Sequence, residues 1–313
     1  MKPGGGVGGH IPVLIGPVIE ALRIRPDGCY MDGTFGRGGH SREILANLNA
    51  RGRLIAIDRD PEAVAAAPRE LLKDPRIEVI KGEMAEIREI AIRRNLLGKL
   101  HGLLLDLGVS SPQLDRAERG FSFSKDGPLD MRMDPTSGAS AAEWLRTVDE
   151  KDLKRVLSTY GEERDAGRIA RAIVARRGVR PIERTSDLAE IVAGAVPAGP
   201  RRIHPATKTF QALRMVVNQE LAQLETALEA SPDLLRRGGR LCLISFHSLE
   251  DRLVKRFMRN ASREPEAWRG MPSVPDHLRP RLAVIGKPVS ATAEEIAANP
   301  RARSARLRVA ERL

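Results

Sequence analysis

Three aspartates, Asp32, Asp58 and Asp106, each close a short apolar run: Cys29-Tyr30-Met31, Leu54-Ile55-Ala56-Ile57 and Leu103-Leu104-Leu105. After the first comes Gly33-Thr34-Phe35-Gly36-Arg37-Gly38-Gly39-His40, which opens onto the helical pattern Ser41-Arg42-Glu43-Ile44-Leu45-Ala46. Strand, glycine-rich turn, helix, strand and acidic residue are the parts of a nucleotide-cofactor site on a Rossmann-like half. Glycine allows positive φ and a close approach of backbone to ligand. Two cofactors fit. A dinucleotide sets its pyrophosphate at the helix N-terminus behind G-x-G-x-x-G. Glycines at 33, 36, 38 and 39 do not match that spacing, and Asp32 would repel a pyrophosphate. A carboxylate there suits the amino group and sulfonium of S-adenosylmethionine (AdoMet) better. Asp58 would accept from ribose hydroxyls in either case, and a plain βα turn without a ligand is the bland alternative.

The elements that must position these residues alternate. A short helix over His10–Leu22 leads into the first strand, and Asp60–Leu72, with Pro61 in its first turn, reads as a second core helix. Ile77–Ile80 is a third strand, Glu83–Leu97 a third helix and Leu103–Asp106 a fourth strand. Such alternation predicts a parallel sheet with right-handed crossovers and the three aspartates at its C-terminal edge. From Gly108 to Asp134 the rhythm gives way to a long loop, and Ser140 to about Val196 is helical without strands. There Ala166, Ile169, Ala170, Ile173 and Val174 share one face, with Arg164, Arg168 and Arg171 opposite. That arginine stripe is either a solvated face or a contact for RNA phosphate. Gly194–Pro200 punctuates the chain, and Phe210, Leu213, Val217, Leu221, Leu224 and Leu228 then trace one amphipathic helix up to Gly238-Gly239. Arg240–Phe246, Leu282–Ile285 and Arg303–Val309 are strands five to seven, the last with a basic face. The expected organisation is a tail over 1–9, a cofactor domain over 10–112 and 206–313, and a helical insertion over 113–205.

The 313 residues carry 42% hydrophobic and 30% charged side chains, ordinary for a globular chain. A net charge of +11 and a pI near 10.2 favour polyanionic partners, nucleic acid first. Aromatic residues, at 3%, argue against a broad base-stacking platform. Cys29 and Cys242 lie in apolar strand-like runs and offer no disulfide framework, as in a reducing cytoplasm. No metal-ligand spacing stands out, and no apolar run approaches the roughly 18 residues of a membrane span. Met1–Gly9 has no apolar core of a signal peptide.

Longer motifs narrow the reading. They are Asp32–Ser41, Asp106-Leu107-Gly108-Val109-Ser110-Ser111-Pro112-Gln113, Gly120-Phe121-Ser122-Phe123, Asp130-Met131-Arg132-Met133, Ile203-His204-Pro205-Ala206-Thr207 and Ile244–Arg252. On these the chain resembles the bacterial small-subunit ribosomal RNA cytosine-N4 methyltransferases of the MraW (RsmH) type, from His10 to the C-terminus. The resemblance implies a class I AdoMet-dependent methyltransferase fold, Rossmann-like, with a helical insertion that recognises substrate. It implies methylation of N4 of a cytosine in the decoding centre (P site) of 16S rRNA, on the assembled small subunit. AdoMet would meet Gly38, Gly39, His40, Asp58, Asp106 and Gln113, with Asp32 and Gly36 in the same turn. Met84 stands where relatives carry an aromatic, which puts adenine stacking there in doubt, although Met packs softly on a ring.

The chemistry agrees. A sulfonium is a strong electrophile, so holding the amine in line accounts for much of the catalysis. The N4 lone pair is delocalised into the ring, and an acceptor for the amino hydrogens restores its nucleophilicity. Enzymes that methylate exocyclic amines in DNA place Asn/Asp-Pro-Pro-aromatic after strand four. Asp106-Leu107-Gly108-Val109 stands in that place without the prolines or the aromatic. Phe121 or Phe123 is then expected to pack on the cytosine, while Asp106 or a nearby backbone carbonyl accepts from N4. Methylation at C5 fits worse, since it needs a thiolate. His247 is either a proton acceptor or a structural residue after strand five. The competing readings are an NAD-dependent oxidoreductase and an RNA-binding ribosome-assembly factor without chemistry. Monomer and homodimer are both open.

Overall fold

The computed structural model describes residues 12–197, 203–264, 268 and 275–313. The expected tail Met1–Gly9, the start of the first helix at His10 and Ile11, and Ala198–Pro200 of the expected linker lie outside these residues. The chain divides into two compact units, Met1–Gly108 with Ala222–Leu313, and Val109–Leu221.

The first unit is built on a seven-stranded sheet: β1 Cys29–Asp32, β2 Arg53–Asp58, β3 Ile77–Lys81, β4 Leu100–Asp106, β5 Leu235–Ser245, β6 Leu282–Ser290 and β7 Arg306–Arg312. Their order is β3-β2-β1-β4-β5-β7-β6, parallel from β3 to β5, with β7 antiparallel to both of its neighbours. This is a Rossmann-like α/β fold, as the resemblance implies. The central strands β1, β2, β4 and β5 are covered on both faces over most of their length, so they are largely apolar and alternate residues feed two cores. Met31, Ile55, Ile57, Leu103, Leu105, Leu241 and Leu243 pack with Ile87, Ile90, Leu228 and Val254 on one face. Tyr30, Leu54, Ala56, Leu104, Cys242 and Ile244 pack with Val18, Leu22, Ile44 and Leu45 on the other.

Several expected elements are revised. The helix over Asp60–Leu72 is two short helices, Pro61–Ala65 and Arg69–Leu72. Pro68 separates them because it has no N–H to donate and its ring crowds the preceding turn. The helix over Glu83–Leu97 is a 3-10 turn, Met84–Glu86, followed by Ile87–Arg93, and Asn95 ends it at φ +54°. The seventh strand begins at Arg306, since Pro300–Ser304 forms a 3-10 turn whose N-cap Asn299 accepts from the Arg301 N–H. Its antiparallel direction also departs from the all-parallel expectation. The basic face of β7 is partly neutralised: Arg308 donates to both oxygens of Asp251 at 2.7 and 3.0 Å, and Arg306 lies 3.5 Å from the same carboxylate. Both partners of the Arg308–Asp251 pair are mostly buried, and the pair fastens β7 to helix Ser248–Ala261. Asp251→Ala is expected to cost about 2 kcal/mol of stability, the value of charge-assisted hydrogen bonds lost from a shielded site. Denaturant unfolding of the two proteins checks it.

The second unit packs helices Ala141–Thr147, Glu150–Tyr160, Ala166–Arg177, Thr185–Ala195 and Thr207–Val217 around Leu145, Leu153, Leu157, Ile169, Ile173, Leu188, Phe210 and Leu213. The single helix expected from Phe210 to Leu228 is two, Thr207–Val217 and Glu220–Leu234. Gln219 breaks it at φ +50°. The Asn218 side chain, instead of continuing the helix, donates to the Met131 carbonyl and accepts from the Met133 N–H, both at 2.7 Å. The long loop after Asp106 is accordingly ordered from within. It holds a short helix, Ser111–Asp115, and the buried Arg119 guanidinium donates to the carbonyls of Arg132 and Met133 at 3.1 and 2.9 Å. Arg168 and Arg171 of the expected stripe are exposed, and Arg168 has Asp165 at 3.7 Å.

Candidate active site

The parallel register brings Asp32, Asp58 and Asp106 to one edge of the sheet as the last residues of β1, β2 and β4. The turn after β1 is stitched to both flanking strands, because the Gly33 N–H donates to Leu104 and the Phe35 N–H to Ile57.

Asp32 is buried and holds the turn together. Its carboxylate accepts from the Thr34 N–H at 3.1 Å, the Thr34 hydroxyl at 3.3 Å and the Ser41 hydroxyl at 2.7 Å. Burial pushes its carboxyl above the ordinary carboxylate range, against the lowering effects of His40 and these donors. Asp58 spends one oxygen on the Gly36 N–H at 2.7 Å and the other on the Asp60 N–H at 2.8 Å. Burial raises it to about 6.

Asp106 differs. Its backbone N–H donates to the Thr34 hydroxyl at 2.7 Å, so Thr34 joins β1 to β4. Its Oδ2 lies 3.5 Å from His40 Nδ1, and its side chain keeps 24% of its surface. Oδ1, by contrast, is enclosed and accepts no hydrogen bond among the described residues. Burial first, then the negative charges of Asp32 and Glu250, drive the carboxyl up to about 7, while His40 opposes them. A buried acceptor without a donor is costly, and native structures keep few of them.

The glycines of the turn separate into two kinds. A Cβ on Gly38, at φ +72°, would meet Leu71 at 2.7 Å and the Phe35 ring at 2.9 Å, and one on Gly39 would meet Pro12 at 2.2 Å. One on Gly33 would meet Leu105 at 2.4 Å. Packing thus crowds these three positions, and Gly38 has a positive φ besides. Gly36, at φ +55°, has only the Thr34 carbonyl oxygen at 3.9 Å, so the space beside it is open.

His40 lies in the first turn of the helix that follows, Gly39–Ala46. It is buried, its Nε2 is 3.0 Å from the Val13 carbonyl, and its Nδ1 faces Asp106. Both ring nitrogens are thus engaged within the protein. Met84, half-buried, opens the 3-10 turn after β3 and packs against the core. His247 is the N-cap of helix Ser248–Ala261, its Nδ1 accepting from the Glu250 N–H at 3.4 Å. Its Nε2 lies 3.0 Å from Glu250 Oε1 but out of line for a hydrogen bond. The capping geometry favours the structural alternative for this residue over the proton acceptor.

The remaining expected residues belong to the second unit. Gln113 is buried and caps its own helix, Oε1 accepting from the Ser110 N–H at 2.9 Å. Phe121 is enclosed, with the Arg119 guanidinium 5.8 Å from its ring centre, so its ring has no open face for a base. Phe123 is half-buried, 4.5 Å from the His204 ring and edge-on to Phe210 at 4.9 Å. The sequence reading missed Thr34, Ser41 and Glu250. The first two were legible in principle, as hydroxyl residues flanking a turn, where they bond locally to backbone and carboxylate. Glu250, at the third position of its helix, accepts from the Phe246 N–H at 2.8 Å, a local helix-start bond that its position signals.

A family profile described as the MraW methylase family matches residues 8–313. The chain belongs to the MraW methylase family. It is therefore an AdoMet-dependent rRNA methyltransferase. Among solved structures, it is similar to a candidate rRNA methylase from Clostridium thermocellum at 11% identity and a TM-score of 0.46, over 97% of this chain and 100% of that one. It is similar to a candidate methyltransferase from Streptococcus mutans in complex with SAH at 12% identity and TM-score 0.42, over 97% and 100%. An rRNA methylase from Streptococcus thermophilus gives 11% and 0.42, over 97% and 99%. Likenesses this distant carry no argument about the site.

The residues of this MraW-family chain fit AdoMet on their own chemistry. The enclosed, donor-less Oδ1 of Asp106 and the open space beside Gly36 lie at the carboxyl edge of a parallel sheet, where such folds bind ligands. Among the described residues, no helix is long and apolar enough to cross a membrane.

Proposed function

We propose that this methyltransferase modifies the N4 amino group of a cytosine in the decoding centre of 16S rRNA, acting in the cytoplasm on the small ribosomal subunit. The observation that carries the reading is Asp106, a partly exposed carboxylate at the end of β4, where the parallel sheet presents its carboxyl edge. AdoMet supplies the methyl group on its sulfonium. Asp106 accepts a hydrogen bond from the amino group, localises its lone pair and turns it toward the methyl carbon. Asp32 and Asp58, whose oxygens already hold the turn, act by fixing the backbone rather than as bases, with Asp58 retaining lone pairs for ribose hydroxyls. Gly36 and Met84 are assigned to the same cofactor. The helical unit, with a net charge of +11 on the whole chain behind it, is assigned to rRNA recognition.

Chemistry at C5 is disfavoured by the cysteines. Cys242 is fully buried with its thiol pushed up to about 12, and burial also raises Cys29. Neither forms the thiolate that C5 attack requires. Mass mapping of 16S rRNA from cells lacking the protein tests the reading. It predicts the loss of one methyl group from a decoding-centre cytosine, restored by the wild-type gene; an unchanged map contradicts it.

A further inference from the structure

We infer that the solvent face of helix Ser248–Ala261 in the first unit is a docking surface for the phosphate backbone of the rRNA substrate. The inference rests on the small-subunit rRNA of the reading above and stands whichever of its atoms is methylated.

The helix has two unlike faces. Val254 and Met258 are buried in the core, with Leu253, Phe257 and Ala261 packed beside them. Arg252, Lys255, Arg256 and Arg259 are exposed, and Arg263 follows just past the helix end, exposed as well. At 3.6 residues per turn the first four fall within an arc of about 100°, opposite the buried side chains and over about 10 Å of helix axis. From Arg252 to Arg263 the chain holds no acidic residue. The two acids before this stretch are committed elsewhere, Asp251 to Arg308 and Arg306, and the buried Glu250 to the Phe246 N–H. Lys255 and Arg259 have no acidic partner among the described residues. Arg256 lies 3.5 Å from Glu225, with both side chains more than half exposed. Such a pair is worth little in water and exchanges readily for a phosphate.

A face that merely meets solvent mixes its signs, as on helix Ile87–Arg93, where Arg93 lies 3.5 Å from Glu89. Here like charges stand three and four residues apart: Arg252 with Lys255 and Arg256, and Arg259 with the same two. That spacing destabilises a helix. The helix dipole accounts for Arg259 alone, in the last turn. A polyanion relieves the repulsion of all four. The location fits the substrate. The helix follows β5, whose Ile244 is in register with Asp106, and so begins at the edge of the sheet where Asp106 stands. RNA held along this face continues away from the nucleotide at that edge, and contacts of this kind fix its position without reading its sequence.

The test is the full chain carrying Lys255→Gln, Arg256→Gln and Arg259→Gln, with binding to small subunits from cells lacking the protein measured between about 50 and 200 mM salt. Each phosphate contact contributes about 0.7–0.9 to the slope of log affinity against log salt. The slope should therefore fall by about 2, and affinity at about 150 mM salt by tenfold or more. The KM for subunits should rise with kcat retained, AdoMet binding by calorimetry should be unchanged, and the melting temperature should hold or rise as like charges are removed. A slope and an affinity equal to the wild type overturn the inference. So does an equal loss on combining Lys73→Gln, Arg88→Gln and Arg93→Gln, exposed cations elsewhere on this unit, because net charge alone would then explain it. Should the triple variant not fold, Lys255→Gln and Arg259→Gln singly should each lower the slope by about 0.7–0.9. Protein-free 16S rRNA identifies the partner. A variant that binds it as tightly as the wild type, but binds subunits weakly, puts a ribosomal protein on this face and defeats the RNA assignment. Wild-type protein that binds neither defeats the functional reading itself, whereas wild-type binding kept by the variant defeats only the surface.

Discussion

Asp106→Asn is expected to lose methyl transfer by a hundredfold or more and, at pH 8, to melt a few degrees higher than the wild-type protein when both are free. The first effect follows from losing the charged acceptor, since a positioned base is worth about 10²–10⁴-fold. The second follows from the sign of the shift. The carboxyl of Asp106 sits near 7 in the folded chain, above its ordinary 3.8. Its folded form therefore prefers the neutral state, which supports stability at low pH. That support fades as pH rises from about 4 to about 7, and above 7 the ionised group carries its full penalty. A shift of this size corresponds to a few kcal/mol at most, on the order of 2 after allowance for its partial exposure. For a chain of this length, that amounts to a few degrees. Activity purchased with stability is common where a charge must be kept ready. Thermal melts at pH 5 and pH 8 check the sign: the gain should shrink at the lower pH. A variant that melts lower at pH 8, or one that turns over normally, contradicts the role given to this side chain.

The second large effect separates two glycines two residues apart. Gly38→Ala puts a Cβ within 2.9 Å of the Phe35 ring and 2.7 Å of Leu71, at φ +72°. Strain and overlap together are expected to cost about 2–4 kcal/mol, so the protein unfolds well below the wild type. Gly36→Ala carries a comparable backbone strain of about 1 kcal/mol at φ +55° but meets no crowding. Its Cβ enters the open space beside the turn, so it should weaken AdoMet binding at least tenfold by calorimetry while its stability changes little. Equal loss of stability in both variants, with AdoMet bound normally by Gly36→Ala, would remove Gly36 from the cofactor site.

Much of this was legible in the sequence, and for physical reasons. Strands buried on both faces read as apolar runs, so β1, β2 and β4 stand out, and each of the three aspartates closes its strand where the alternation places it. What failed was local or distant. The 3.6-residue period runs on through Asn218-Gln219, but Asn218 bonds to Met131 and Met133, some 85 residues away, and the helix stops there. No window of sequence contains that partner. Phe121 illustrates the same limit, because an aromatic in a polar loop looks available until Arg119 and its own burial close it off. The glycines teach the opposite lesson. Their clustering announces a turn, yet whether each makes room for a ligand or for Pro12, Phe35 and Leu71 depends on the fold. The pairing of His40 with Asp106, 3.5 Å apart across 66 positions of sequence, is of this kind too.

The central claim is the atom that receives the methyl group. Small subunits from cells lacking this protein, incubated with it and with methyl-labelled AdoMet, should take up label that digests to N4-methylcytidine from a single decoding-centre position of 16S rRNA. Label recovered on C5, on a ribose, or on another base would leave the methyltransferase fold in place and contradict the N4 assignment built on Asp106.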